Sequence, residues 1–348
     1  TFTPSILPWG EPPENGFIVD DGEVVIWNQV DSVVTPEVIN NIKKLCGQID
    51  LAHVRFETLL EGNFAFHQPL QLPFVEYQSF LQMVKMLNPK FILPGSAAFR
   101  YSDEFGFLNN LSFPTSPQQF LNDLSEFCPE VKRSPFAHGD VAEISSQGVE
   151  MRPQGSDFVR IDENDKSVVE FKPVASVSPI RTLAKDKVTH EEQRQDVIRF
   201  VEGEMLQRML QNEMAEVWQH WKISYQLEVF GMDGVSDIWT VDFSKEPEMQ
   251  KGRAGKINLY EGISCSELHG LVNQTANWDF ISGSAQYRTF HNVYKIENES
   301  FYFYSQDKKL PQPLRVIFPN DREMKIEQFM KDVRRWKNKV HPVGVSVS

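Results

Sequence analysis

The sequence predicts a layered α/β domain followed by a smaller α+β domain, and three observations carry that prediction. From residue 17 to residue 95, after an opening hairpin, apolar strand-like runs alternate with amphipathic helical stretches in the order strand, helix, strand, helix, strand. Residues 190–221 then read as one long helix, and the text behind it alternates apolar with polar positions as antiparallel strands do. The chain as a whole, with 348 residues, 41% hydrophobic and 24% charged, has the balance of a folded protein long enough for two cores. The expected division is residues 1–157 for the α/β region, 158–189 for a connector and 190–348 for the α+β domain with its long N-terminal helix.

Each element has a local reason. "GFIVDDGEVVIW" gives two short strands, Phe17 to Val19 and Glu23 to Trp27, around an Asp20-Asp21-Gly22 turn. In "TPEVINNIKKLCGQ", Thr35 is the N-cap, Pro36 the first helical residue and Gly47 the stop, with Val38, Ile39, Ile42 and Leu45 on the inner face. "IDLAHVRF" is a strand. "FVEYQSFLQMVKML" is a helix that points Phe74, Tyr77, Leu81, Val84 and Leu87 inward and ends before Asn88-Pro89, where "KFILP" resumes as strand. The helix from His190 carries Val197, Phe200, Val201, Met205, Met209, Met214, Val217, Trp218 and Trp221 at three- and four-residue steps, which is the spacing of a core stripe. "KISYQLEVFGM", "SDIWTVDF", "GKINLYEGI", "GSAQYRTFHNVYKI" and "FYFY" read as strands, Ser264 caps the short helix "CSELHGLVN", and "KIEQFMKDVRRWKNKV" reads as an amphipathic tail helix.

Bulk properties exclude several classes. A net charge of −13 repels nucleic acid, whose binding rests on Lys and Arg neutralising phosphates. No apolar stretch approaches the length of a membrane span. Cys46, Cys128 and Cys265 are odd in number and far apart, which fits neither a disulfide framework nor a Cys-x-x-Cys knuckle and suits a reducing cytoplasm. The opening "TFTPSILPWG" has neither an initiator Met nor a signal-peptide layout, so a processed or partial chain is expected.

Familiar short motifs are absent: no GxGxxG, Walker loop, HExxH or GxSxG occurs. In "FAHGDVAEI", His138 and Asp140 flank a glycine, so they either present imidazole and carboxylate together as metal ligands or close a turn through the Asp side chain. Asp31 follows a strand and precedes a helix cap, where it serves either a site or a cap. The remaining His residues have no metal spacing, and His53, inside a strand, reads as structural.

The order "GFIVDDGEVVIWNQVDS", "IDLAHVRFET", "LNPKFILPGSAAFRYSDEFGFLNNLSFPTSPQQFLNDL" and "FAHGDVAEI" resembles the C-terminal half of a metallo-β-lactamase-fold protein of the CMP-N-acetylneuraminate hydroxylase kind. The likeness runs over roughly residues 10–245 and rests on Val30-Asp31 and on Pro94, Ala97, Ala98 and Phe99. It implies part of an αββα sandwich with a metal site at one edge, and Asp31 is the position that matches a metal ligand. The departures are the absence of HxHxDH and of Rieske Cys and His pairs, and Gly95 and Ser96 stand where many hydrolases of this fold carry a His. On this resemblance the strand ending at Pro94 delivers a pocket rim of Gly95, Ser96, Phe99, Glu104 and Asn109. The region from Lys222 is similar to a sterol-carrier-type module.

The function this resemblance implies is the C-terminal part of a metal-dependent oxidoreductase, hydroxylase- or oxygenase-like, acting on a small molecule. Its metal is iron or zinc, with Asp31, His138 and Asp140 as candidate ligands and an iron–sulfur cluster carried on a segment outside this chain. A metallo-hydrolase of the same fold, and a non-catalytic binding or assembly subunit without a metal site, are the alternatives. The expected partners are the small-molecule substrate and a second copy of the chain or an electron-transfer protein, with no nucleic acid and no membrane span.

Overall fold

The computed structural model describes residues 2–4, 15–60, 63, 70–95, 101, 103–153, 188–278, 281, 286–304 and 310–319. Its class is mixed α/β. The chain divides into two units: Thr1–Ala175 with Asn292–Tyr304, and Ser176–His291 with Ser305–Ser348.

In the first unit, strands β1 (Phe2–Pro4), β2 (Asn15–Asp20) and β3 (Val25–Asn28) pair antiparallel. The turn between β2 and β3 is closed by Asp20, whose Oδ1 accepts from the Gly22 amide at 2.9 Å, and Gly22 supplies the left-handed φ of 89°. From β3 onward every pairing is parallel: β4 (Leu51–Arg55), β5 (Phe91–Gly95) and β6 (Lys132–Arg133) follow in sequence order. Helices α1 (Pro36–Cys46), α2 (Phe74–Leu87) and α3 (Pro117–Phe127) form the crossovers. Thr35 caps α1 and Ser116 caps α3, each accepting an amide of the first turn, and each is followed by Pro at the first helical position.

Successive crossovers in one direction and of one hand put their helices on one face of a sheet. Accordingly α1 packs on α2 and α2 on α3, and a single core joins Trp27, Ala52, Val54 and Ile92 of the strands to Ile39, Ile42, Tyr77, Leu81, Val84, Phe120 and Leu124 of the helices. At the amino edge Asp50 aligns three strands, accepting from the Val25 amide at 2.8 Å and from Lys90 Nζ at 2.6 Å. A hairpin, Tyr294–Glu297 with Ser300–Phe303, lies over this helix layer. There the hydroxyls of Tyr77 and Tyr294 both donate to Asp123 Oδ2 at 2.6 Å, and Phe74 stacks on Phe303 at 5.1 Å. A further hairpin, β7 (Val141–Ser145) with β8 (Gly148–Arg152), stands as its own two-stranded sheet.

The second unit begins with α4 (His190–Phe200), opened by a capping box between Thr189 and Glu192. The helix widens to a π-turn over Val201–Met205, continues as α5 (Leu206–Leu210), breaks, and resumes as α6 (Met214–His220). Its sheet contains β9 (Ser224–Phe230), β10 (Ser236–Asp242), β11 (Met249–Lys251), β12 (Leu259–Ser264) and β13 (Tyr287–His291) in the order β11-β10-β9-β12-β13. The β9–β12 pair is parallel and the pairs β9–β10, β10–β11 and β12–β13 are antiparallel. Helix α7 (Cys265–Val272) starts at the Ser264 cap, and α8 (Pro313–Ile317) follows later.

Four expectations are revised. Leu45 is 73% exposed, because the inward stripe of α1 runs Ile39, Ile42, Cys46 and Leu45 falls about a quarter-turn off it. The long helix is interrupted where Asn212 Oδ1 accepts from the Met214 amide at 3.0 Å and so starts a new helix. The short strand β11 joins the sheet beside β10. The hairpin 294–303, read as part of the second domain, falls in the first unit. The connector core (residues 158–187), the amphipathic tail (325–340), Ser96, Phe99 and the side chain of Glu104 lie outside the described residues.

Candidate functional site

Parallel strands end at one edge, and in the first unit that edge gathers ionisable side chains. Strand β4 and its continuation read His53, Val54, Arg55, Phe56, Glu57. A period of two puts Val54 and Phe56 in the helix-side core and leaves His53, Arg55 and Glu57 off it, with Arg55 turning over the strand end toward α2. Beyond β3, Gln29 extends the ladder with backbone and side chain: its backbone N–H donates to the His53 carbonyl at 3.0 Å, its Oε1 accepts from the Arg55 backbone amide at 3.0 Å, and its Nε2 donates to the Ser32 carbonyl at 2.7 Å. Val30 is held at φ 56°, an uncommon conformation for a β-branched residue, with its amide donating to Asn28 Oδ1 at 3.1 Å. The sharp turn leaves Asp31 half-buried at the end of β3.

His53 stands beside this turn. Its Nδ1 lies 3.2 Å from Asn28 Oδ1, and the Phe136 ring meets it edge-on at 5.7 Å. Burial holds the imidazole below its ordinary value, against a contact with the Pro94 backbone that favours the charged form, so it is neutral at neutral pH. Gly95 is the reason the ring fits: a Cβ there would come within 1.8 Å of His53 Nε2. The small residue after Pro94 thus makes room for a side chain of the same unit.

Arg55 reaches along the edge, donating from Nη1 to the Asp31 carbonyl at 3.3 Å and from Nη2 to Glu76 Oε1 at 3.3 Å, with its guanidinium 5.4 Å from the centre of the Phe80 ring. Its Nε is buried and has no partner among the described residues. Glu57 is 8% exposed. Burial pushes its carboxyl up to about 8, with the charge of Arg55 pulling the other way, and among the described residues it accepts no hydrogen bond. Ser32 Oγ and Ser112 Oγ are also buried without partners among the described residues, and Ser112 accepts through its carbonyl from the Leu60 amide at 2.9 Å.

The other sequence candidates are arranged differently. Asp140 closes its own turn: its Oδ2 accepts from the Ala137 amide at 2.8 Å, Gly139 supplies φ 90°, and His138 is exposed. Asn109 is buried and both ends of its amide are taken by the Tyr101 backbone, at 2.9 Å each. Among the described residues no group of three His, Cys, Asp or Glu side chains comes together as metal ligands do. The described residues therefore do not make a metal donor set by themselves. The residues missed from the sequence are Arg55 and Glu57, with His53 read as structural. Their signal was the alternation His53, Arg55, Glu57 on one face of a strand that is apolar on the other.

No family model matches the chain, and no curated protein matches it. Among solved structures, the chain is similar to Sterol Carrier Protein 2 from Yarrowia lipolytica in its apo form, with 19% sequence identity over 28% of this chain and 77% of that chain, and a TM-score of 0.22.

Proposed function

We propose that the carboxyl edge of β3, β4 and β5 is where the protein holds a small-molecule substrate, and that the first unit is the substrate-holding part of an oxidoreductase built on a metallo-β-lactamase-like sandwich. The observation that carries this reading is the pair of buried polar atoms at that edge without partners among the described residues, Arg55 Nε and Ser32 Oγ, together with the Glu57 carboxyl that burial pushes up to about 8. Buried polar groups are nearly always paired, so several of them together mark a place for a ligand or ordered water. Strand ends of open α/β sheets are also where such proteins bind ligands. In this reading Arg55 holds an anionic or carbonyl oxygen, Glu57 gives it a proton, and neutral His53 takes one. Asp31 is this chain's contribution to a site for iron or zinc, whose chemistry would be activation of water or dioxygen.

Two experiments test the reading. A panel of small carboxylates and phosphate esters should include members that raise the melting temperature of the full chain by several degrees and do not raise that of Glu57→Gln or Arg55→Gln. A panel that shifts all three proteins alike, or none, contradicts the site. Separately, the full chain loaded with Fe(II) or Zn(II) and desalted should retain stoichiometric metal that Asp31→Ala loses. Failure of that second test with success of the first favours the alternative reading of a binding subunit that lacks a metal site.

A further inference from the structure

The second unit contains an acidic, aromatic-lined corner that a segment of its own chain occupies. Glu261, on β12 between β9 and β13, is fully buried. Its carboxyl accepts from the hydroxyls of Tyr225, at 2.8 Å, and of Tyr287, and from the backbone amide of Leu314 at 3.0 Å. The segment that brings Leu314 is tied down by two indoles, Trp218 Nε1 donating to the Pro311 carbonyl at 2.8 Å and Trp278 Nε1 to the Phe318 carbonyl at 2.7 Å. Leu314 itself is fully buried.

The next residue, Arg315, is the telling one. Its guanidinium carbon is 4.5 Å from the centre of the Trp278 ring and 5.3 Å from that of Tyr287, and the two rings meet at 64° with centroids 5.0 Å apart. A corner of two aromatic rings with a buried carboxyl behind one of them is a combination that attracts organic cations, through the ring faces and through the charge. We propose that the corner of Trp278 and Tyr287 is a binding site for an organic cation of the guanidinium or quaternary ammonium class, and that Arg315 is its built-in occupant, so that residues 310–318 act as an internal competitor. An external cation enters as Arg315 swings out, and Leu314 remains docked on Glu261. Arg315 is solvent-exposed, whereas Leu314 is fully buried.

The test is a titration of the full chain with tetramethylammonium and with methylguanidinium, read by tryptophan fluorescence and isothermal calorimetry. Arg315→Ala should bind at least one of the two saturably and at least about tenfold more tightly than the wild-type protein, the factor that corresponds to removing an occupant filling roughly nine-tenths of the sites. Arg315→Lys, which keeps a cation beside the rings, should fall between them, and Arg315→Ala/Trp278→Leu should lose the binding while keeping its far-ultraviolet circular dichroism. A folded Arg315→Ala protein that binds neither probe overturns the site. Equal affinity in the wild-type and Arg315→Ala proteins overturns the competitor.

Discussion

At Gly95 a single methyl group decides whether the strand edge can form. The imidazole of His53 fills the space where a Cβ would stand, at 1.8 Å from Nε2, so Gly95→Ala must push the ring out of its place beside Asn28. The expected loss is about 1–3 kcal/mol in chemical denaturation, the usual cost of overpacking. Combining Gly95→Ala with His53→Ala should recover part of that loss, because the clash is with that ring. Glu57 makes a prediction of the opposite kind. Its unfolded carboxyl titrates near 4.5 and its folded one near 8, so both states hold the proton at lower pH and neither does at higher pH. Between those values the unfolded state ionises first, and stability falls as pH rises. Glu57→Gln removes this dependence. The variant should match the wild-type protein near pH 4.5 and exceed it at pH 8 by an amount on the order of a few kcal/mol, read from denaturation midpoints.

At the scale of elements, caps and stripes were legible because they are local. Thr35-Pro36 and Ser116-Pro117 open their helices as their letters say, and Phe74, Tyr77, Leu81, Val84 and Leu87 all face the core. The break at Asn212 was hidden in a continuous helical stripe, since a side chain that accepts from the backbone two residues on looks like any polar residue until the backbone turns. The site was only half legible for a related reason. Alternation in "HVRFE" gives the spacing of His53, Arg55 and Glu57, but the burial of Glu57 is a tertiary property, set where residues past the strand meet distant ones, as Leu60 meets Ser112 and Thr58 meets Thr115. Reading each ionisable residue singly missed what the strand sums. The hairpin 294–303 offers a test of packing at this scale. Tyr294→Phe removes the hydroxyl that donates to Asp123 and accepts from Gln119 Nε2, leaving Gln119 without that acceptor and Asp123 with the Tyr77 hydroxyl. It should lower stability by about 1–3 kcal/mol in urea denaturation, with little change in far-ultraviolet circular dichroism.

At the scale of the whole molecule, the chain leaves the first unit, builds most of the second, returns for residues 292–304 and then goes back. Local periodicity reports elements and carries no information about which core a late hairpin joins, so a division at residue 190 was the natural reading. The return has a consequence for deletion. A chain in which a short Gly/Ser linker replaces residues 294–303 keeps all the parallel strands and the 310–318 segment but loses the hairpin that covers Phe74 and Tyr77. It should bind a hydrophobic dye and melt earlier and less cooperatively than the full chain. A wild-type melting profile without dye binding would mean that the hairpin adds nothing to the first core.

The central claim is that Glu57 stays protonated at neutral pH at a place a substrate can reach. Carbon-13 NMR of glutamate side-chain carboxyls, recorded through a pH titration of the wild-type protein and Glu57→Gln, tests it most directly. One signal, missing from the variant, should titrate near 8 and move when a stabilising carboxylate or phosphate ester is added. If the signal that disappears in Glu57→Gln titrates in the ordinary glutamate range near 4.5 and ignores every such ligand, the carboxyl edge is not the site.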